Sequence, residues 1–212
     1  MGRPRILLAD DHTLLLEALK RLLEPEFEVV GAVTDGRAAL SQARILNPDV
    51  VILDIGMPLL NGLEAARLFH EMSPAPKVIL LTMNADPEIA GAALRLGASG
   101  YLLKTSTASE LSKAVRDALG GLTFVTPSVQ RGLEELMTQP GGGGATKPRG
   151  LNPRQREVLQ LLAEGRLMKE VADILHVTPR TVAYHKYKMM ADLGLKNSAE
   201  LIQYAVRTKL IS

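Results

Sequence analysis

Val50-Val51-Ile52-Leu53-Asp54-Ile55-Gly56-Met57-Pro58 is the stretch from which the fold of this chain is read. Four consecutive apolar residues, three of them β-branched, read as a strand buried on both faces. The run stops on a carboxylate, and Gly56 and Pro58 then turn the chain. Asp is rarely buried without a partner. At the carboxyl end of a buried strand it stands where open parallel sheets bind ligands, in the crevice beyond the strand ends. Taken alone, Asp54 reads first as a helix cap or the partner of a nearby cation. The segments on either side change that reading.

Upstream, Arg5-Ile6-Leu7-Leu8-Ala9 is a short apolar run ending at Asp10-Asp11. Leu15, Leu16, Leu19, Leu22 and Leu23 then recur at helical spacing, and Phe27 to Val33 returns to strand character. A helix opens at Asp35 or Gly36 and stops at Asn47-Pro48. Downstream, Gly62 to Met72 is helical, and Lys77 to Thr82 is a fourth strand. A helix follows Pro87, Ser99 to Leu103 is a fifth strand ending at Lys104, and Ser109 to Leu119 is a fifth helix. Strand-helix alternation of this kind predicts an α/β fold, a doubly wound (βα)5 domain with a five-stranded parallel sheet covered on both faces.

Residues 122–150 read as a connection, with a short helix over 126–137 and a flexible stretch, Pro140-Gly141-Gly142-Gly143-Gly144 to Pro148. Those glycines follow no strand and precede no Gly-Lys-Ser/Thr, so they read as a linker rather than a phosphate loop. The tail is all-α. Asn152-Pro153 and Thr178-Pro179 each open a helix with a cap followed by proline at the first helical position. A short helix over 169–175 precedes the one opened by Thr178, and Ser198 reads as the cap of a fourth helix. Short helix, tight turn and longer helix make a helix-turn-helix. The expected domains are therefore 1–121, a linker over 122–150, and 151–212.

With no cysteine in its 212 residues, the chain has no disulfide, thiolate metal site or cysteine nucleophile. No apolar run approaches the ~18–20 residues of a membrane span. The basic Met1-Gly2-Arg3-Pro4-Arg5 start is soon interrupted by Asp10-Asp11, unlike a signal peptide. A cytoplasmic, soluble protein is expected, with no membrane partner. Residues 1–125 carry 12 Lys+Arg against 15 Asp+Glu, net −3, whereas 151–212 carry 10 against 6, net +4. Only the tail is expected to meet a polyanion.

Asp10, Asp11, Asp54, Thr82 and Lys104 all fall at or just past strand ends, which share one edge of a parallel sheet. Three converging carboxylates need a cation. Oxygen-only ligands favour Mg²⁺, with Mn²⁺ as the alternative. A carboxylate beside a cation, a Lys and a Thr hydroxyl suits phosphoryl transfer. His12, beside the acidic pair, reads as charge-paired rather than catalytic.

On these motifs residues 5–120 resemble the receiver domain of bacterial two-component response regulators. The motifs are Leu8-Ala9-Asp10-Asp11-His12, Asp54-Ile55-Gly56-Met57-Pro58, Leu81-Thr82-Met83 and Gly100-Tyr101-Leu102-Leu103-Lys104. The resemblance implies a flavodoxin-like domain with Asp54 as phosphoacceptor. It implies Mg²⁺ held by Asp11 and Asp54, by Asp10 through water, and by the Gly56 carbonyl. Lys104 would pair with the phosphoryl group, and Thr82 and Tyr101 would form the switch pair. Tyr101 also reads as a half-buried strand aromatic with its hydroxyl in water. The competing enzyme, a haloacid-dehalogenase-like phosphatase, needs a second carboxylic acid two residues after its nucleophile. Gly56 stands there and cannot transfer a proton. A signalling switch rather than an enzyme is expected, its lifetime tuned at Gly56 and Asn84.

The tail resembles the LuxR-type helix-turn-helix through Leu151 to Gly165, Lys169-Glu170-Val171-Ala172, Thr181-Val182-Ala183-Tyr184-His185 and Asp192-Leu193-Gly194. A receiver joined to this module resembles the NarL/FixJ class: a phosphorylation-dependent transcriptional regulator that binds double-stranded DNA, answers a sensor histidine kinase and dimerises when phosphorylated. At 100° per residue, Val182, His185, Met189 and Leu193 share an inner face. Arg180, Ala183, Tyr184, Tyr187 and Lys188 share the outer one, expected in the major groove. Lys186 at the side suits a phosphate. Lys169, Thr178 and Thr181 complete the candidate DNA contacts. The family pattern commonly has Lys at 183 and often at 187; Ala183 and Tyr187 shift readout toward Tyr hydrogen bonds and thymine methyls. A module that binds another protein instead of DNA is the rival reading of this face. Dimerisation is expected through the last helix, at Leu201, Ile202 and Ala205.

Overall fold

The computed structural model describes residues 2–138 and 151–208, and the glycine stretch expected over 140–148 lies outside them. The chain divides into two compact units, 1–144 and 145–212.

In the first unit, β1 (Arg5–Ala9), β2 (Glu28–Val33), β3 (Val50–Asp54), β4 (Lys77–Thr82), β5 (Gly100–Leu103) and β6 (Phe124–Val125) form one sheet in the order β2-β1-β3-β4-β5-β6. Every described pairing is parallel. The intervening helices are α1 (Thr13–Leu23), α2 (Gly36–Leu46), α3 (Gly62–His70), α4 (Pro87–Arg95) and α5 (Ala108–Leu119).

The pleat sorts the apolar side chains between two cores. Leu7, Val51, Leu53, Val78, Leu80 and Tyr101 face one way, onto Ala39 and Ala43 of α2, Ala65, Ala66 and Phe69 of α3, and Ala90 and Ala93 of α4. Ile6, Leu8, Val50, Ile52, Ile79, Leu81 and Leu102 face the other, onto Leu16, Leu19 and Leu23 of α1 and Leu111, Ala114, Val115 and Ala118 of α5. All five residues of β3 are buried, as a strand covered on both sides requires.

The sheet has six strands, not five. Phe124 and Val125 pair with Gly100 and Tyr101, and the Lys113 ammonium lies 5.2 Å from the centre of the Phe124 ring. Two residues between Leu122-Thr123 and Thr126-Pro127 are too few for a strand pattern to register in the sequence. The short helix expected after them is α6 (Pro127–Thr138). Its Val129 is fully buried in the α2/α3/α4-side core, and Leu133 packs against the same core. Residues 122–138 thus pack with the first unit, beyond the boundary expected at 121.

In the second unit, α7 (Pro153–Ala163), α8 (Met168–Leu175), α9 (Pro179–Leu193) and α10 (Ser198–Arg207) surround Val158, Leu159, Leu161, Val171, Ala172, Val182, Met189, Leu201 and Ala205. Asn152 and Thr178 cap α7 and α9 with Pro at the first turn, as read. The fourth helix is capped by Asn197 rather than Ser198: its side chain accepts from the Glu200 N–H at 2.9 Å. Between α8 and α9 the chain turns at His176, which adopts the left-handed conformation at φ 53°. Arg154 crosses from α7 to donate to the Leu175 carbonyl at 2.7 Å, closing the end of α8.

Candidate functional site

The sheet register brings the polar residues together. Ala9 pairs with Leu53, so Asp10 and Asp54 leave adjacent strands at the same level. Asp10 and Lys104 continue the pleat parity of Ile6-Leu8 and Leu102, which puts them with Asp54 on the α1/α5 side. Thr82 and Tyr101 have the opposite parity and lie on the α2/α3/α4 side. One sheet edge therefore carries an ionic cluster and, across the pleat, a hydroxyl pair.

In the cluster, Lys104 Nζ is 2.8 Å from Asp10 Oδ2 and 3.2 Å from Asp54 Oδ1. Asp10 and Asp54 are buried, and Lys104 is only 11% exposed. Burial pushes the Asp54 carboxyl above its ordinary range, with Asp10 adding to the effect; Lys104 and the Gly56 N–H oppose it. Burial alone would lower the Lys104 ammonium, but its hydrogen bond to Asp10 and the charges of Asp54 and Asp10 outweigh that and raise it. Asp11 stands at the exposed rim. The His12 Nδ1 is 2.8 Å from Asp11 Oδ1 and 3.1 Å from Asp10 Oδ1, and its ring is 70% exposed. The imidazole sits against both carboxylates at the mouth.

Ligand atoms of Asp10, Asp11, His12 and Asp54 lie within 4.8 Å of one another, a span one oxygen-bound cation can bridge. Asp10 Oδ2 is buried, and its partner is the Lys104 ammonium at 2.8 Å. A carboxylate oxygen with spare lone pairs beside two further carboxylates fits a hard divalent cation.

The loop after Asp54 is shaped by two glycines. A side chain at Gly62 would meet the Asp54 carbonyl oxygen at 2.3 Å, and one at Gly36 would meet the Leu60 carbonyl oxygen at 2.1 Å. Their absence lets α2 and α3 close on the loop from both sides. Gly62 N–H donates to the Ile55 carbonyl at 3.0 Å, and the Asn61 side chain caps α3 through the Glu64 N–H at 3.0 Å. Leu59 takes the left-handed conformation, φ 65°, at the loop's tip.

Thr82 is buried, and its Oγ1 accepts from the Asn84 N–H at 3.1 Å. Tyr101 is fully buried, with its hydroxyl donating to the Asn84 carbonyl at 2.7 Å. This corrects the reading in which the phenol points to water: the ring belongs to the core over α4. Burial raises the phenol well above its usual 10.0, Asp86 adds to this, and a hydrogen bond with Thr82 opposes it. Thr126, not singled out in the sequence, also belongs here. Its Oγ1 accepts from the Leu103 N–H at 3.1 Å and lies 3.2 Å from Ser106 Oγ, while its own N–H donates to the Tyr101 carbonyl at 3.0 Å. A lone threonine in a turn carries no sequence signal for this.

In the second unit, Arg180, Tyr184, Tyr187 and Lys188 are exposed on α9, while Val182 and Met189 are fully buried on its inner face. Ala183 and Lys186 are half-buried at the margins, and Lys169, Thr178 and Thr181 lie at the starts of α8 and α9. The hydroxyls of Thr178 and Thr181 bond each other at 2.9 Å. His185 faces inward as expected, its Nδ1 buried without a hydrogen-bond partner. Burial lowers its pKa, and Arg154 and Lys188 lower it further. Of the residues expected in a dimer face on the last helix, Leu201 and Ala205 are buried in the unit's own core, whereas Ile202, with Val206, is exposed.

Residues 6–116 match the response regulator receiver domain model, and residues 149–205 match the model of bacterial regulatory proteins of the luxR family. The transcriptional regulatory protein MctR of Rhizobium johnstonii is 34% identical over 98% of this chain and 95% of its own. Among solved structures, RcsB from Salmonella enterica serovar Typhimurium, bound to a promoter in the presence of a phosphomimetic, is 31% identical over 96% of this chain and 98% of its own, with a TM-score of 0.59. Two RcsB dimers bound to two parallel DNAs are 30% identical over 97% of this chain and 98% of theirs, with a TM-score of 0.61. No described helix is long and apolar enough to cross a membrane.

Proposed function

The chain belongs to the bacterial response regulators that join a receiver domain to a LuxR-family DNA-binding module, and from that premise we propose that it is a transcription factor switched by phosphorylation of Asp54. The donor is a sensor histidine kinase. An Asp54 carboxylate oxygen attacks the phosphorus of the kinase phosphohistidine. The P–N bond breaks, the imidazole leaves and takes up a proton, and an acyl phosphate remains on Asp54. Lys104, already against Asp54, turns to the incoming phosphoryl oxygens. Asp10, Asp11, Asp54 and the Gly56 carbonyl are the residues to hold Mg²⁺, which when bound neutralises the carboxylates and the developing phosphoryl charge. The acyl phosphate is hydrolysed slowly, because Gly56 supplies no acid-base group.

Thr82 and Tyr101 respond as a pair. The Thr82 hydroxyl turns to the phosphoryl group, leaving Asn84, and α4 and the Tyr101 phenol readjust around the loop at Asn84. Phosphorylation favours a homodimer, and the paired second units bind a two-fold site on DNA through α9, with Lys169, Thr178, Thr181 and Lys186 toward phosphates. Such a protein works in the cytoplasm.

The observation that carries this reading is the Lys104 ammonium set against both Asp10 and Asp54 at a parallel-sheet edge. The test treats wild type and Asp54→Asn with a small phosphodonor and Mg²⁺. Intact mass, mass in solution and duplex binding are then followed together. Wild type should gain one phosphoryl group, dimerise and tighten on DNA, and Asp54→Asn should do none of these. An Asp54→Asn protein that responds like wild type sinks the proposal.

A further inference from the structure

The groove-facing stripe of α9 has an unusual make-up. Along the helix, at 100° per residue, Arg180, Ala183, Tyr184, Tyr187 and Ala191 fall on one side. After Arg180 the stripe holds no Arg, Lys, Asn or Gln, the side chains that read guanine or adenine by paired hydrogen bonds, and Lys188 lies at its edge. It holds two methyl groups and two aromatic rings. Tyr184 and Tyr187 are each 60% exposed, so neither ring is needed by the core. Each ring also carries a cation. Lys188 Nζ lies 5.8 Å from the centre of the Tyr184 ring, and Lys186 Nζ lies 5.7 Å from that of Tyr187. By the same helical angle Lys186 and Lys188 flank the stripe on opposite sides. Held over the rings, they steady them. With α9 in a major groove, as the DNA-binding reading has it, these two cations would serve the phosphates on either side. The cations are therefore placed for the backbone, and the rings and methyls for base edges.

A base edge that offers a carbon surface in the major groove is thymine, through its C5-methyl. A tyrosine hydroxyl can donate or accept, so it tolerates several bases and selects weakly among them. Resting on the DNA-binding reading above, we infer that Ala183, Tyr184 and Tyr187 recognise thymine methyl groups, so that each operator half-site is A·T-rich where it faces the middle of α9. Arg180, at the amino-terminal end of the stripe, leaves room for one guanine at the half-site's edge.

The full-length chain, phosphorylated with a small phosphodonor and Mg²⁺, is used to select duplexes from a random pool. The selected half-site should contain adjacent thymines. Replacing each in turn by deoxyuridine, which removes only the methyl, should weaken binding about four-fold at each contacted position, the equivalent of one buried CH₂. In Tyr184→Ala and Tyr187→Ala that penalty should vanish, each at its own position. Tyr184→Phe and Tyr187→Phe should keep it, since the ring remains. Lys186→Ala and Lys188→Ala should instead weaken all sequences alike, each lowering the salt slope by about one. Both rings are exposed, and unchanged circular dichroism verifies that the alanine variants fold. A selected site that is G·C-rich at these positions, or one that binds deoxyuridine as well as thymidine throughout, overturns the inference. If no duplex is enriched at all, the DNA-binding reading falls, and the inference falls with it.

Discussion

The Lys104 ammonium stands 2.8 Å from Asp10 and 3.2 Å from Asp54, and it is the cation that lets both carboxylates be buried at one sheet edge. Removing one partner of such a cluster leaves uncompensated buried charge, costing ~3–5 kcal/mol. Lys104→Met should therefore lower the melting temperature of the first unit without Mg²⁺. It should also make Mg²⁺ more stabilising than in wild type, because the cluster has lost its resident charge. Melting with and without Mg²⁺ checks both effects. Equal Mg²⁺ stabilisation of the two proteins would mean that the carboxylates do not form the metal site.

The hydroxyl of Tyr101 is fully buried and bonded to the Asn84 carbonyl at 2.7 Å. Tyr101→Phe keeps the ring in the core and should cost about 1 kcal/mol, or roughly 3–5 °C in a domain of this size. The phenol also makes stability depend on alkali. Its folded pKa is raised above 10.0, chiefly by burial, so the folded state holds a proton that the unfolded state releases first. This contribution is complete below pH 10 and is lost as pH rises beyond it. Denaturant titrations from pH 9 to 11 should show a shallower decline for Tyr101→Phe than for wild type.

Much of this arrangement is visible in the residues alone. Apolar runs that end on Asp10, Asp54, Thr82 and Lys104 state both the parallel sheet and its functional edge, because a doubly covered sheet demands continuous apolar strands. Cap-then-proline pairs at Asn152-Pro153 and Thr178-Pro179 state two helix starts, since the side-chain cap and the fixed φ act locally. The features that escape depend on tertiary contact. β6 is two residues long and exists because β5 offers an open edge. The apolar stripe of α10 does not say whether Leu201 meets its own core or a second chain; α7 takes it. The depth of Tyr101 is decided by the core it shares with residues of α2, α3, α4 and α6, which the strand pattern of β5 does not reveal.

Thr126 ties β6 and α6 to the strand that carries Tyr101 and Lys104, accepting from the Leu103 N–H at 3.1 Å. Thr126→Val preserves the shape but leaves that partly buried N–H without its acceptor, at a cost of about 1 kcal/mol. Hydrogen exchange should then rise at Leu103 and along 124–136 while α1 and α2 stay protected. Uniform loss of protection would show that β6 and α6 are not a separable layer.

Gly62 has the Asp54 carbonyl oxygen where a Cβ would sit, at 2.3 Å. Gly62→Ala must push α3 away from the end of β3, with an overpacking cost of ~1–3 kcal/mol. The displaced loop carries Gly56 and the Asp54 backbone, so the rate of phosphorylation by a small donor should fall by more than tenfold while the protein remains folded. A variant phosphorylated at the wild-type rate would show that the close approach of α3 serves packing alone.

His185 sits on the inner face of α9 with its Nδ1 buried and unbonded, and its pKa lies below 6.5 through burial, reinforced by Arg154 and Lys188. The folded second unit therefore prefers the neutral ring. Its contribution to stability is complete above pH 6.5 and is lost as pH falls from there through the folded pKa, because the unfolded chain binds the proton first. Chemical-shift titration of the ring in the full-length protein should give a midpoint below 6.5. Exchange of the α9 amides should quicken between pH 6.5 and 5.5. In His185→Gln, which cannot titrate, exchange corrected for its intrinsic pH dependence should stay level across that interval. A quickening that persists in His185→Gln would assign the acid sensitivity to the carboxylates instead.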